Sequence, residues 1–203
     1  MVPEPPYPPV KPPQLVLLRH GETEWSLNGR HTGTTDLPLT EHGEERAQAV
    51  APVLEGRDIA LVLSSPRQRA LRTAELAGFG RDRVELEPDL VEFDYGDYEG
   101  LTTPQIREER PDWDLWRDGT PNGETPAEVR ARVDRVIRRA ATVLDAGHDV
   151  LLVAHSHVLR ALAAAWVHLP EDGGANFVLS TGGLAELGTE HGHRVIDLWN
   201  AVP

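Results

Sequence analysis

The stretch "LVLLRHGETEW", residues 15–25, places four apolar residues directly before Arg19 and His20. A short apolar run bounded by polar residues reads as a buried strand, which would deliver both cationic side chains to its carboxyl end, with Gly21 behind them. The pattern recurs in "DIALVLSSPRQRALRTAELAG", residues 58–78, and in "DVLLVAHSHVLRALAAAWV", residues 149–167. Each joins an apolar run, a polar loop and a helical stretch. That alternation predicts an α/β fold, a three-layer sandwich around a mostly parallel central sheet. In such sheets, sites gather beyond the carboxyl ends of the strands. The loops at Arg19-His20, Ser64-Ser65-Pro66 and His155-Ser156-His157 should therefore share one edge.

Outward from these units, "TPAEVRARVDRVIRRAATVLDAG", residues 125–147, is the clearest helix. Thr125 can cap it, Pro126 suits its first position and Glu128 completes a capping box. Val129, Val133, Val136, Ile137, Ala140, Val143 and Leu144 form its apolar stripe, and Gly147 ends it. A second helix is expected from Thr40, carrying Ala47, Val50, Ala51 and Leu54 inward. "GGLAELG" and "HRVIDLW" flank a turn and read as a hairpin. Residues 1–13, "MVPEPPYPPVKPP", lack the apolar region of a secretory signal and read as a flexible proline-rich arm. A single domain is expected over residues 14–203.

The net charge of −13 disfavours nucleic acid and anionic membranes as partners, and no apolar run is long enough to span a bilayer. A cytoplasmic protein is the expectation. Any anion site must be a local cluster of cations. The chain has one lysine, Lys11, so those cations are arginines, and no cysteine, so thiolate chemistry and cysteine-bound zinc are absent.

Ser65 reads as an N-cap with Pro66 at the first helical position. Arg67, Arg69 and Arg72 then fall in the first two turns, where the helix dipole disfavours cations. An anion at that helix end, clamped by Arg69, would account for the arrangement, while Arg67 and Arg72 read as surface residues. His155 follows "VLLVA" and should emerge at a strand end, as His20 does. Two such histidines beside Arg19 and Arg69 could surround a phosphoryl group. A neutral imidazole is a competent nucleophile toward phosphorus, and nearby arginines favour the neutral form.

"LLRHGETEW", "GRHTGTTDLPLTEHG", "SSPRQRALRTAE", "VEFDYGDYEG", "NGET" and "VAHSHVLR" together resemble the histidine phosphatase superfamily, in family order over residues 14–165. The resemblance implies a phosphoglycerate-mutase-like fold and a phosphohistidine mechanism. His20 would be the nucleophile, with Arg19, Arg69 and His155 lining the phosphate pocket. Glu92 would be the proton donor, which requires it to start protonated and implies better activity at mildly acid pH. Thr32, Gly33 and Tyr95 match positions flanking the reacting phosphate, and Ser156 follows His155 at the same edge. Where many members carry asparagine after the tryptophan, this chain has Ser26, which can still donate one hydrogen bond. "TEWS", "FDYGDYEGLTTPQIR" and "WDLWRDGTPNGET" resemble a phosphatase subgroup that includes sedoheptulose-bisphosphatase-like and acid-phosphatase-like proteins.

Water is favoured over a sugar acid as the acceptor. Only a short acidic segment separates Gly100 from "NGET", and "GLTTPQ" lacks the lysine of cofactor-dependent mutases. The expected activity is hydrolysis of small phosphomonoesters, chiefly sugar phosphates, without cofactor or metal. A phosphoglycerate mutase and a noncatalytic phosphoester-binding module are the alternatives. The histidine pairs "HSH" at 155–157 and "HGH" at 191–193 raise a zinc reading, weakened by the absence of a carboxylate at ligand spacing. His31, Trp113 and Trp116 suit either a cover over substrate or packing under a loop. A homodimer through an exposed edge strand stays open.

Overall fold

The structure, a computed structural model, describes residues 11–203. Residues 1–10, and with them most of the proline-rich arm, lie outside the described residues. Six strands form one sheet: β1 (Leu15–Arg19), β2 (Ile59–Ser64), β3 (Val84–Leu86), β4 (Asp149–Ala154), β5 (Leu184–Glu190) and β6 (His193–Ala201). Their order is β3-β2-β4-β1-β5-β6. The first four are parallel; β5 pairs antiparallel with β1 and with β6, which makes the expected hairpin.

The apolar runs are continuous because both faces of the sheet are covered. Alternate residues of one strand enter two different cores. Leu15 and Leu17 of β1 join Leu152 of β4 on one face, against helices α7 (Pro126–Leu144) and α8 (Ser156–Trp166). Val16 and Leu18 join Val62, Leu151 and Val153 on the other, against α2 (Glu41–Ala49), α3 (Ala51–Leu54) and α4 (Gln68–Leu76). This is the three-layer arrangement expected from the sequence. The short helices α1 (Glu24–Asn28), α5 (Thr103–Glu109) and α6 (Leu115–Asp118) lie in connections. No helix of the described residues is long and apolar enough to cross a membrane.

Helix α7 begins as read, with a Thr125–Glu128 capping box. Its buried stripe runs through Val129, Val133, Val136, Ile137 and Ala140, while Val143 and Leu144 are partly buried. The helix expected from Thr40 is two, α2 and α3, joined at Val50, with Thr40 capping the first.

The start of α4 differs from the expectation. Its N-cap is Arg67, without a side-chain bond, and Gln68 opens the helix. Ser65 does not cap strongly because its hydroxyl lies 2.8 Å from His155 Nε2. Asp36 supplies the missing acceptor: its carboxylate takes the Gln68 N–H at 2.9 Å. Asp36 thus places a carboxylate at this helix end.

Candidate active site

The register places the site. Arg19 pairs with Ala154 across β1 and β4, and Ser64 pairs with Val153 across β2 and β4. The next residues, His20, Ser65 and His155, therefore leave three adjacent strands together. His20 N–H donates to Ala154 O at 2.9 Å and Ser65 N–H to Val153 O at 3.0 Å.

His20 is 5 % exposed, and its Nδ1 lies 2.7 Å from Gly21 O. A carbonyl only accepts, so Nδ1 carries the ring hydrogen and Nε2 keeps its lone pair. Burial first, then the charges of Arg19 and Arg69, hold the imidazole well below its ordinary pKa. Gly21 is fixed in turn: its N–H donates to Thr73 Oγ1 at 3.0 Å. A Cβ at Gly21 would lie 2.2 Å from Gly43 O, and one at Gly43 would lie 2.2 Å from Glu22 O. This close approach explains glycine at both positions.

His155 rings edge-on to His20, with centroids 5.1 Å apart. Its Nδ1 accepts from Arg69 Nε at 3.2 Å, so its Nε2–H donates to Ser65 Oγ. Arg69 is fully buried and also donates to the carbonyls of Thr35 and Thr32, at 2.9 and 3.1 Å. Both residues stand directly behind His20. Their donors serve the 32–35 loop, His155 and Ser65, and neither residue lines the cavity.

The pocket is a cavity of about 330 Å³. Arg19, His20, Glu92 and Tyr95 line it, as do Ser26, Thr32 and Ser156. Arg19 Nη1 donates to Leu179 O at 2.5 Å, while its buried Nε has no partner among the described residues. Burial chiefly lowers the Arg19 pKa, to about 10. Two further arginines, Arg30 and Arg160, reach the same cavity, giving it a strong positive bias in an acidic protein.

Glu92 is held by the start of α8. Its carboxylate accepts the backbone N–H groups of His157 and Val158, both at 2.9 Å, and that of Phe93 at 3.0 Å. Burial pushes its pKa up, but the contacts with His157, the two imidazoles and the helix N–H donors outweigh burial and hold it well below the usual carboxylate range. Glu92 is therefore held as a carboxylate, where the expectation was that it starts protonated.

Other sequence-derived candidates divide. The Ser26 hydroxyl donates to Thr23 O at 2.9 Å and completes the capping box of α1, so its hydrogen is already used. Gly33 lies outside the cavity wall: its N–H faces Glu99, and a Cβ there would meet Phe93 O at 2.2 Å. It is a packing glycine. Tyr95 is 1 % exposed, and its hydroxyl bonds His157 Nδ1 at 2.7 Å. Thr32 and Ser156 face the cavity. Trp113 and Trp116 are core residues, whereas His31 lines the cavity.

The sequence reading missed Arg30, His157 and Arg160 as cavity residues. A signal existed: Ser156 and Arg160 are four apart on one helix and share a face. The two histidine pairs diverge. His155 and His157 bond different partners, and His191 and His193 are exposed at the β5–β6 turn. Among the described residues no group of three or more His, Asp or Glu is arranged to hold a metal.

Residues 15–202 match the histidine phosphatase superfamily (branch 1). The chain is 45 % identical to an acid phosphatase of Mycobacterium tuberculosis over 183 residues, 89 % of each chain. It is 37 % identical to sedoheptulose 1,7-bisphosphatase of Saccharomyces cerevisiae over 187 residues, 77 % of this chain and 68 % of that one. A solved structure of a Mycobacterium tuberculosis open reading frame superposes with a TM-score of 0.88 at 43 % identity, covering 94 % of this chain and 98 % of that one.

Proposed function

The chain belongs to the histidine phosphatase superfamily, and we propose that it hydrolyses small phosphomonoesters, chiefly sugar phosphates, through a phosphohistidine on His20. The observation that carries this reading is the His20–Gly21 hydrogen bond. It commits Nδ1 to the carbonyl and leaves Nε2 as a free nucleophile in a cationic cavity. The names of the relatives support phosphate ester hydrolysis.

On this reading His20 Nε2 attacks phosphorus in line with the departing alkoxide. Arg19 faces the phosphoryl oxygens, with its unpaired Nε–H available. Arg69 adds positive potential and His155 a ring N–H donor beside His20. Glu92 gives its proton to the leaving oxygen, then takes one from the water that cleaves the phosphohistidine. Its resting ionisation is compatible with this role: a phosphoryl dianion beside it opposes the carboxylate charge, so Glu92 takes up a proton from solvent as the ester binds.

Segment 101–125, acidic in sequence, offers the cavity Thr103, but Arg30 and Arg160 offer it two guanidinium groups. A leaving group bearing a second acid therefore fits, and phosphoglycerates belong in the test. The experiment is a chelator-treated panel of sugar bisphosphates, phosphoglycerates, nucleotides and p-nitrophenyl phosphate, read by released orthophosphate. Release from sugar phosphates is the expected result. Interconversion of phosphoglycerates without release would instead identify a mutase, and binding without either would identify a noncatalytic module.

A further inference from the structure

His157 is a cavity residue that neither step above uses through its ring. We infer that His157, held by Tyr95, is a specificity-determining residue whose imidazole N–H binds a hydroxyl of the substrate's alcohol portion. The inference rests on the phosphatase reading and names which substrates the site prefers.

The geometry fixes the donor. Tyr95 is buried, and burial together with the nearby Glu92 and Glu99 raises its pKa well above the ordinary value, so its hydroxyl keeps its hydrogen. Among the described residues the acceptor for that hydrogen is His157 Nδ1, at 2.7 Å. With Nδ1 accepting, the ring hydrogen sits on Nε2. Nε2 has no partner among the described residues, and the ring, 21 % exposed, lines the cavity. Its orientation is held by packing: the Phe93 ring lies edge-on with its centroid 6.1 Å away and the Trp116 ring tilted at 5.5 Å.

The position of the ring identifies what it meets. His157 follows His155 by two residues but turns to the other side of the cavity. Its backbone N–H bonds Glu92 Oε2, and its Nδ1 lies 3.6 Å from the same oxygen. Glu92 is the group that faces the leaving oxygen, so His157 stands beside the leaving group, whereas His155 stands beside His20. A single N–H donor, preorganised by a buried tyrosine, matches one hydroxyl oxygen near the ester carbon.

The test compares glycerol 3-phosphate with n-propyl phosphate, which share a three-carbon leaving group and differ in hydroxyls. One hydrogen bond corresponds to about a fivefold preference. In the unaltered protein kcat/KM should favour glycerol 3-phosphate by at least that factor. His157→Phe, which preserves ring packing, should bring the ratio of the two esters toward one, and His157→Gln, which retains a donor, should restore part of it. A merely structural role would lower both esters alike and leave the ratio unchanged, which overturns the inference while the phosphatase reading stands. If the unaltered protein releases phosphate from neither these esters nor p-nitrophenyl phosphate, the phosphatase reading falls and this inference with it. Should His157→Phe fail to fold, an equal ratio in the unaltered protein and in His157→Gln combined with no preference for glycerol 3-phosphate also overturns it.

Discussion

The Glu92 carboxylate caps helix α8, accepting the Val158 backbone N–H at 2.9 Å. A proposed general acid is thereby stored in its ionised form by three backbone donors. Three guanidinium groups feel its charge from different sides of the cavity: Arg19, Arg69 and Arg160. A bound dianion neutralises much of that positive field and raises the carboxyl pKa. Binding of orthophosphate near pH 7 should therefore take up close to one proton. Calorimetry in two buffers of different ionisation enthalpy measures it, and Glu92→Gln should abolish the uptake. Equal uptake in that variant would place the proton elsewhere.

Acid stability follows from the buried histidines. Burial, and then His157, lower the His31 pKa to about 4. His20 and His155 are held well below the ordinary value by burial and by Arg69, with Arg19 acting on both. The unfolded chain protonates these rings near pH 6.5 while the native state does not. Folding stability should thus be unaffected by them above about pH 6.5 and fall as pH drops from there toward 4. His31 alone accounts for about 3 kcal/mol across that window. Urea titrations at several pH values should show a shallower acid limb in His31→Gln; an unchanged limb would contradict the assignment.

Gly43 sets two effects against each other. Alanine in a helix interior is favoured over glycine by about 1 kcal/mol. At Gly43 the added Cβ would lie 2.2 Å from the Glu22 carbonyl oxygen, and such overpacking against backbone costs about 1–3 kcal/mol or more. Gly43→Ala should be destabilised by about 1–2 kcal/mol and should lose activity, because the displaced loop carries His20. Thermal unfolding and phosphate release check both. Increased stability would show that the close approach is relieved without cost.

Much of this site was legible in the chain because its local rules are strong. Apolar runs marked β1, β2 and β4, and a strand must deliver the next residue to its end, so His20 and His155 were placed by counting. The Thr125–Glu128 box is a contact within one turn and is read directly. What escaped depends on partners distant in sequence. Glu92 meets α8 across more than sixty residues. Ser65 looked like a cap, but its hydroxyl is taken by His155, and Asp36 fills the vacancy from another loop. Ser26 is turned inward by Thr23, and Gly33 is demanded by the backbone of Phe93. Arginine abundance hid Arg30 and Arg160, since an arginine carries little information in a chain with 20 lysines and arginines of which one is lysine.

The proposed mechanism requires a nucleophilic Nε2 on His20. Its most direct test is rapid acid-free quenching of the protein with a radiolabelled phosphomonoester, followed by peptide mapping of the bound label. The expected result is an acid-labile, alkali-stable phosphoryl group on the peptide containing His20, attached at Nε2, and none in His20→Ala. Label at full level in His20→Ala, or turnover of that variant at the rate of the unaltered protein, would contradict it.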